Sequence, residues 1–446
     1  MSTVSAVAIE NSAPENASNL TSRKLSGTAL SALLARTLGP ASSFLLALLL
    51  ARALGAKGSG TFFVSLTLVT AGAIFAKFGL ETALQRFVGA ASGRGEISVV
   101  AGIYRQALWI CSVLSVAISA LCIGFAGPVA ELLFHDLSQA GLIRLLAIAI
   151  VPFSLLGIHA AMLKAIGKPA WGGFFEAAAW PTLTVSLAAI TLLYRPLTAD
   201  TMAAAYLLAG VLATAFGYAV LKRSLPGVTP ARPIAARQLC ASCLPLTGIE
   251  VINYALLWAP FLLLPMLSDS SEAGLYNVCH RLAAQLGLLM IVFASITAPR
   301  FAAHSQQGDN AALAKLAGQS TRTMLLFGLP PAILLLVWSE QILGLFGSEF
   351  SAAAQTLRIL VFAQLINLAT GPVGYLLAMT GYERLLRNVL IATALISICL
   401  SLLLIPAYGA AGAAWSVALP MIIHNLACCL LAARRLNLPF ILLFSR

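Results

Sequence analysis

Apolar residues in this chain come in long unbroken blocks with short polar punctuation, not at the alternating or three-to-four spacing of a half-buried element. Residues 107–126, 183–194, 324–338 and 389–407 carry no charge at all. About 20 such residues cross the ~30 Å hydrocarbon layer of a bilayer as a helix. The blocks predict twelve spans, near residues 26–54, 60–83, 98–127, 142–164, 169–194, 198–221, 240–267, 272–298, 318–339, 353–379, 385–406 and 409–432. Gly39-Pro40, Pro181, Pro260, Pro265 and Gly371-Pro372 fall inside them and predict kinks, because proline has no N–H to donate to the preceding turn.

The pattern repeats. Arg86-Phe87 and Arg300-Phe301 lie 214 positions apart, each closing an even-numbered block, and the same offset pairs Gly60 with Gly274, Arg144 with Arg358, Gly157 with Gly371 and Gly167 with Gly381. Gly60 and Gly274 both open their blocks and are followed two residues later by Phe62 and Tyr276. Six spans per half is an even number, so the halves share one orientation and relate by an axis along the membrane normal. The expected fold is an all-α integral membrane protein of twelve helices in two six-helix lobes.

Composition agrees: 60% of the 446 residues are hydrophobic and 9% are charged, with a mean hydropathy of +0.94. The net charge of +12 reflects membrane topology, not a nucleic-acid footprint. Lysine and arginine gather at alternate connections, from Arg23 and Lys24 through Arg86, Arg94, Lys164, Lys168, Lys222, Arg223, Arg300 and Arg384 to Arg434 and Arg435. The connections between and their edges carry Arg52, Lys57 and Arg195 and otherwise lean acidic, with Glu131, Asp136, Asp269, Glu272, Glu340 and Glu349. The positive-inside rule then puts both termini in the cytoplasm. Residues 1–25 lack an apolar centre and are expected to be a disordered cytoplasmic tail, not a cleaved signal. Residues 26–222 form the first lobe, 223–239 a proline-rich cytoplasmic linker, 240–435 the second lobe, and 436–446 a second tail.

All eight cysteines lie in or at the ends of apolar blocks and read as small packing residues. Cys240 and Cys243 have metal-ligand spacing without a second pair, so no metal is expected. Lys77 and Arg105 lie near cytoplasmic span ends and read as snorkelling anchors. No phosphate-loop sequence argues for an ATPase. The short outer connections leave no room for the carboxylate constellation of a glycosyltransferase or polymerase.

The doubled six-span pattern resembles the polysaccharide biosynthesis flippases of the multidrug/oligosaccharidyl-lipid/polysaccharide exporter superfamily, relatives of the lipid II flippases. The elements Ser59-Gly60-Thr61-Phe62 and Ala273-Gly274-Leu275-Tyr276 and the arginine-ended second and eighth spans carry that resemblance, which covers about residues 26–435. It implies a multi-pass inner-membrane protein, not an enzyme, that moves a polyprenyl-diphosphate-linked oligosaccharide to the outer leaflet. It implies membrane lipids, a polysaccharide polymerase and glycosyltransferases as partners, and no cofactor beyond coupling to a proton or sodium gradient or the membrane potential. A multidrug or cation antiporter of the same superfamily is the alternative.

Charge inside the bilayer is costly, so deep ionisable groups are the site candidates. Arg36 and its repeat partner Glu250 both lie near mid-depth, as does Arg281. Glu250 and Asn253 share one helical face, and Asn277, His280 and Arg281 share another. Gln364 and Asn367 in the tenth span add amides suited to sugar hydroxyls or to helix contacts. Arg36 and Arg281 suit a diphosphate, because a guanidinium donates two parallel hydrogen bonds to phosphate oxygens. Arg36 could instead pair with Glu250 as a structural or gating ion pair. Glu250, with Glu176 as a weaker second, could be the ion-coupling or gating carboxylate.

Overall fold

The computed structural model describes residues 15–225 and 236–436, with side chains from Leu38 onward except at 236–238, 245, 249, 252, 253, 255–257 and 295. Every described element is a helix: α1 Glu15–Lys77, α2 Leu80–Gly93, α3 Ile97–Gly124, α4 Ala126–Phe134, α5 Ala140–Ala147, α6 Ile150–Ala165, α7 Pro169–Ala177, α8 Ala179–Tyr194 and α9 Ala199–Ser224 in the first half. The second half holds α10 Ala236–Leu267, α11 Ser270–Gln306, α12 Asn310–Val337, α13 Ser339–Gly344, α14 Ala354–Thr370, α15 Val373–Met379 and α16 Glu383–Leu436. Among the described residues eight helical stretches, two of them joining consecutive elements (Leu137–Ala165 and Ser348–Thr370), are long and apolar enough to cross a membrane, and the bent pair α7–α8 makes a ninth.

Two helices are far too long for one crossing. α1, with 63 residues, would reach about 95 Å as a straight rod. It breaks at Gly55 (φ 68°, ψ −174°), a backbone conformation that only glycine adopts without strain. α16 breaks in the same way at Gly409 (φ 51°, ψ −127°). Each break is capped from elsewhere. Glu349 accepts the Ala56 N–H at 2.7 Å, and Glu272 accepts the Ala410 N–H at 2.7 Å. A carboxylate is favoured there because the following arm presents unpaired N–H groups and the positive end of its dipole.

The expected kinks divide. α7 and α8 meet at 48°, three residues before Pro181, which has no N–H to offer the carbonyl of Ala177. α14 ends at Gly371 (φ 74°) before Pro372. Around Pro40, Pro260 and Pro265 the helices run on, since neighbouring helices hold the chain where one hydrogen bond is missing. α1 begins at Glu15, so the helix takes in the end of the segment expected to be a disordered tail. Residues 1–14, 226–235 and 437–446, which hold the rest of the expected tails and most of the linker, lie outside the described residues.

Packing is that of a membrane bundle, small side chains inward and large ones outward. On α3 the buried positions include Gly102, Ala107, Cys111, Ser115 and Ser119, whereas Trp109, Val113, Val116 and Leu121 are exposed. Lipid tails are as apolar as leucine, so helices associate by close backbone approach, which small residues allow. The main core joins both halves through Phe62, Phe63, Phe175, Phe346 and Phe350. A smaller core at one end of the second half gathers Phe301, Leu313, Leu376, Cys428 and Cys429, so both cysteines are packed inside.

Candidate functional site

The second arm of α1 is the spine of the site. Phe63, Leu66, Thr67, Thr70 and Lys77 recur at helical spacing on one of its faces and line a cavity of about 280 Å³. Trp180 and Pro181 of α8 and Tyr206 of α9 form one wall, with Phe153 and Gly157 of α6 beside them. Tyr254 and Trp258 of α10 and Asn277 and Arg281 of α11 bring in the second half of the chain. The bend at Ala178 helps shape the wall, because Ala177 turns into the cavity lining there and also meets Gly39, where a methyl would sit 2.8 Å from the Ala177 carbonyl.

Arg281 marks one end. Its Nε donates to Asn277 Oδ1 at 2.8 Å, one Nη lies 3.5 Å from the Ser43 carbonyl, and the guanidinium sits 4.7 Å from the centroid of the Phe63 ring. Among the described residues no carboxylate pairs with it. The planar cation is thus held by one amide and one aromatic face, which leaves N–H groups for a ligand. Tyr254 ties the halves nearby, its hydroxyl donating to the Thr67 carbonyl at 2.6 Å.

The other end carries charge in pairs. Lys77 Nζ donates to Glu81 at 3.0 Å, with the side chains 13% and 25% exposed. Glu176 lines the cavity and is held by Lys164 of α6. The snorkelling expected of Lys77 is therefore corrected: its amine turns into the protein, toward Glu81 and the Phe153 ring 5.9 Å away.

The sequence-based site divides in three. Arg281, Asn277 and Glu176 meet on the cavity. His280, next to Arg281, faces elsewhere and stacks on Tyr276 at 5.7 Å, beside Trp258. Gln364 and Asn367 bond to each other at 3.2 Å and lie at the α11–α14 contact beside Gly287, outside the lining. Glu250, one helical turn from Tyr254 on α10, is half-buried and also outside the lining. The side chains of Arg36 and Asn253 lie outside the described residues. Lys77, Glu81, Trp180, Trp258 and Tyr206 were missed, although the four-residue Lys77–Glu81 spacing is an ion-pair signal visible in the sequence. Among the described residues no cluster of three or more metal-ligating side chains occurs.

The cavity is thus lined from both halves of the helical bundle. A family of polysaccharide biosynthesis proteins is matched over residues 49–355. The chain belongs to that family. The probable low-salt glycan biosynthesis flippase Agl15 of Haloferax volcanii is 24% identical over 414 residues, covering 90% of this chain and 82% of its own. The fold is similar to that of an inward-facing multidrug resistance MATE family transporter of the MOP superfamily, with a TM-score of 0.75 and 13% identity over 91% of this chain and 98% of that one. It is also similar to the lipid II flippase MurJ in an inward closed conformation, with a TM-score of 0.70 and 13% identity over 90% of this chain and 86% of that one. At 13% identity these two likenesses speak for the fold alone. This member of the polysaccharide biosynthesis family thus has several helices able to cross a membrane and a fold similar to those two proteins.

Proposed function

We propose that this protein flips a polyprenyl-diphosphate-linked oligosaccharide across the cytoplasmic membrane during polysaccharide biosynthesis, by alternating access between two lobes. Membership of the family and the likeness to the Agl15 flippase support glycan flipping. In this reading each arm of α1 and α16 is one pass, α5–α6, α7–α8 and α14–α15 are one pass each, α3, α9, α10, α11 and α12 make the other five, and the short helices α2, α4 and α13 do not cross, which is twelve passes, six per lobe. The distribution of lysine and arginine then sets both termini in the cytoplasm, the Gly55 end of the cavity outward and the Lys77 end inward.

The observation that carries the reading is Arg281, a guanidinium that faces the cavity and pairs with no carboxylate among the described residues. Keeping such a cation there costs about 2.5–3.5 kcal/mol on insertion scales, and an anionic ligand recovers it. The guanidinium fork matches diphosphate oxygens. Asn277 orients that fork, while Trp180 and Trp258 add aromatic lining to the cavity. Ion coupling, whether to a proton or sodium gradient or to the membrane potential, is assigned in this reading to Glu250. Glycosyltransferases would supply the substrate and a polymerase would consume it.

A cation antiporter is the second reading, favoured by Glu81 and Glu176 in the lining. Each is already neutralised by a lysine, whereas Arg281 is not. The deciding experiment places purified protein in liposomes with a fluorescent lipid-linked oligosaccharide and follows its accessibility to an external quencher. Arg281→Gln is expected to slow flipping about tenfold or more, on the scale of one charge-assisted hydrogen-bond pair. Flipping at the unaltered rate would overturn the role of Arg281. Ion-driven export of a cationic dye without movement of lipid-linked sugar would install the antiporter.

A further inference from the structure

The Lys77–Glu81 pair sits at the far end of the cavity from Arg281 and has an unusual backbone. Between its two members Phe78 (φ 50°) and Gly79 (φ 65°) are both left-handed, ending α1 and preceding α2. A left-handed phenylalanine stores about 1–3 kcal/mol of strain, which persists only where the surroundings hold it. Here α10 does so: a methyl on Gly79 would lie 2.7 Å from the Cys243 carbonyl and 3.0 Å from the Thr247 nitrogen. The carboxylate has a prepared seat on α6. A methyl on Gly157 would run into Glu81 Oε1 and lie 3.1 Å from Lys77 Cδ.

Both residues line the same cavity as Arg281. From Phe63, under the Arg281 guanidinium, to Lys77 is about 21 Å of helix, far more than a diphosphate can bridge. One anion therefore cannot engage both cations at once. The repeat positions of Lys77 and Glu81 are Ile291 and Ser295, so only one half of the chain carries this pair.

We propose that Lys77 is a second anion site at the cytoplasmic mouth of the cavity, and that Glu81 is an internal stand-in displaced by an incoming diphosphate. The head group is held first by Lys77 and then, deeper, by Arg281. The inference rests on the reading of the cavity as a diphosphate path. Residue chemistry suits the order: lysine is a compact point cation with rotatable donors, easily exchanged between anions, whereas arginine grips in a fixed geometry. The stand-in keeps the mouth neutral when empty, so the lysine is never left desolvated and unpaired.

The test is binding of inorganic pyrophosphate to the purified full-length protein, read by tryptophan fluorescence because Trp180 and Trp258 line the cavity. Removing the competing carboxylate by Glu81→Gln is expected to tighten binding about five-fold, the weight of a partly exposed ion pair. Lys77→Gln is expected to weaken binding, and the double variant to lose the gain of Glu81→Gln. Unchanged or weaker binding in Glu81→Gln overturns the proposal. Where thermal unfolding shows that this variant is not folded, Glu81→Asp replaces it, with tighter binding again expected and unchanged binding again fatal. Arg281→Gln separates the two claims. Binding weakened there but unmoved by Glu81→Gln removes the Lys77 site alone. Binding insensitive to Arg281→Gln yet tightened by Glu81→Gln removes the Arg281 assignment and keeps the Lys77 site. No saturable binding by the unaltered protein removes both. Displacement of pyrophosphate by a short-chain prenyl diphosphate is expected, and displacement by free phosphate alone overturns a lipid-borne ligand.

Discussion

Gly60 and Gly274, equivalent positions in the two halves, touch each other. A methyl on Gly60 would run into the Ser270 carbonyl and lie 2.7 Å from the Gly274 nitrogen, while one on Gly274 would run into the Ala56 carbonyl and lie 3.1 Å from the Gly60 nitrogen. Ala56 and Ser270 are themselves separated by the same 214 positions. Reciprocal contact of this kind is what a two-fold axis produces, where residue i meets j and j meets i. The sequence repeat is thus realised as a local pseudo-two-fold contact between the second arm of α1 and the start of α11.

Gly60→Val and Gly274→Val are each expected to destabilise the protein by about 1–3 kcal/mol, the usual cost of overfilling a close-packed contact. The double variant should cost less than the sum, since both substitutions relieve the same approach. Thermal unfolding in detergent measures all three.

Near that contact the break in α1 is latched to the second half. Arg52 Nε donates to the Leu345 carbonyl at 2.6 Å, Glu349 caps Ala56, and the Phe44 and Phe346 rings meet edge-on at 5.6 Å. Glu349→Gln weakens the interaction of a carboxylate with a helix N-terminus, worth about 0.3–1 kcal/mol. Spin-label distances between positions 57 and 348 are expected to show a longer-distance population enlarged about two- to five-fold. An unchanged distribution would mean that the latch does not hold this end shut.

Replacing Asn277 by Asp puts a carboxylate 2.8 Å from Arg281 Nε where an amide oxygen now sits. The new ion pair would neutralise the guanidinium without changing its position. Pyrophosphate binding is expected to fall about tenfold or more, and Asn277→Leu to do less harm than Asn277→Asp. The reverse order would show that Asn277 serves packing.

Asp136 lies in the connection after α4, beyond the left-handed His135, and its side chain accepts from the Ser138 N–H at 2.9 Å and from Gln139 Nε2 at 3.1 Å. Hydrogen bonding from the Ser138 side chain, then from Gln139 and then from the Ser138 N–H, holds its carboxyl down at about 2 against an ordinary 3.8. A folded value below the unfolded one stabilises the fold above about pH 4, and this support disappears as the pH falls through about 2. Asp136→Asn should therefore lower the melting temperature at neutral pH and flatten its dependence between about pH 4 and pH 2, as a pH series of thermal scans would read.

Depth along the chain was legible in the sequence, and direction around a helix was not. Gly55 falls in the gap left between the first two expected spans, and Gly371-Pro372 was expected to kink the tenth. Lys77 was expected near a span end, and α1 does end there, yet it was read as an anchor turned to the interface. Only the neighbouring α6, with the Gly157 notch, draws its amine inward to Glu81. Gln364 and Asn367 were polar at the right depth for the cavity but bond across their own helix turn, because the azimuth of α14 sets them against α11. His280 precedes Arg281, and the 100° turn between adjacent residues points it to Tyr276.

By itself the sequence determined a membrane-embedded, doubled helical chain, because uninterrupted apolar blocks have no other stable environment and the 214-residue repeat is a property of order alone. Tertiary structure decided that Gly60 meets Gly274, that Arg281 lines the cavity paired with no carboxylate among the described residues, and that Lys77 faces Glu81. These depend on which faces of which helices meet, and in a uniformly apolar chain no hydrophobic stripe announces the inward face; small residues and backbone approach select it only when the helices pack.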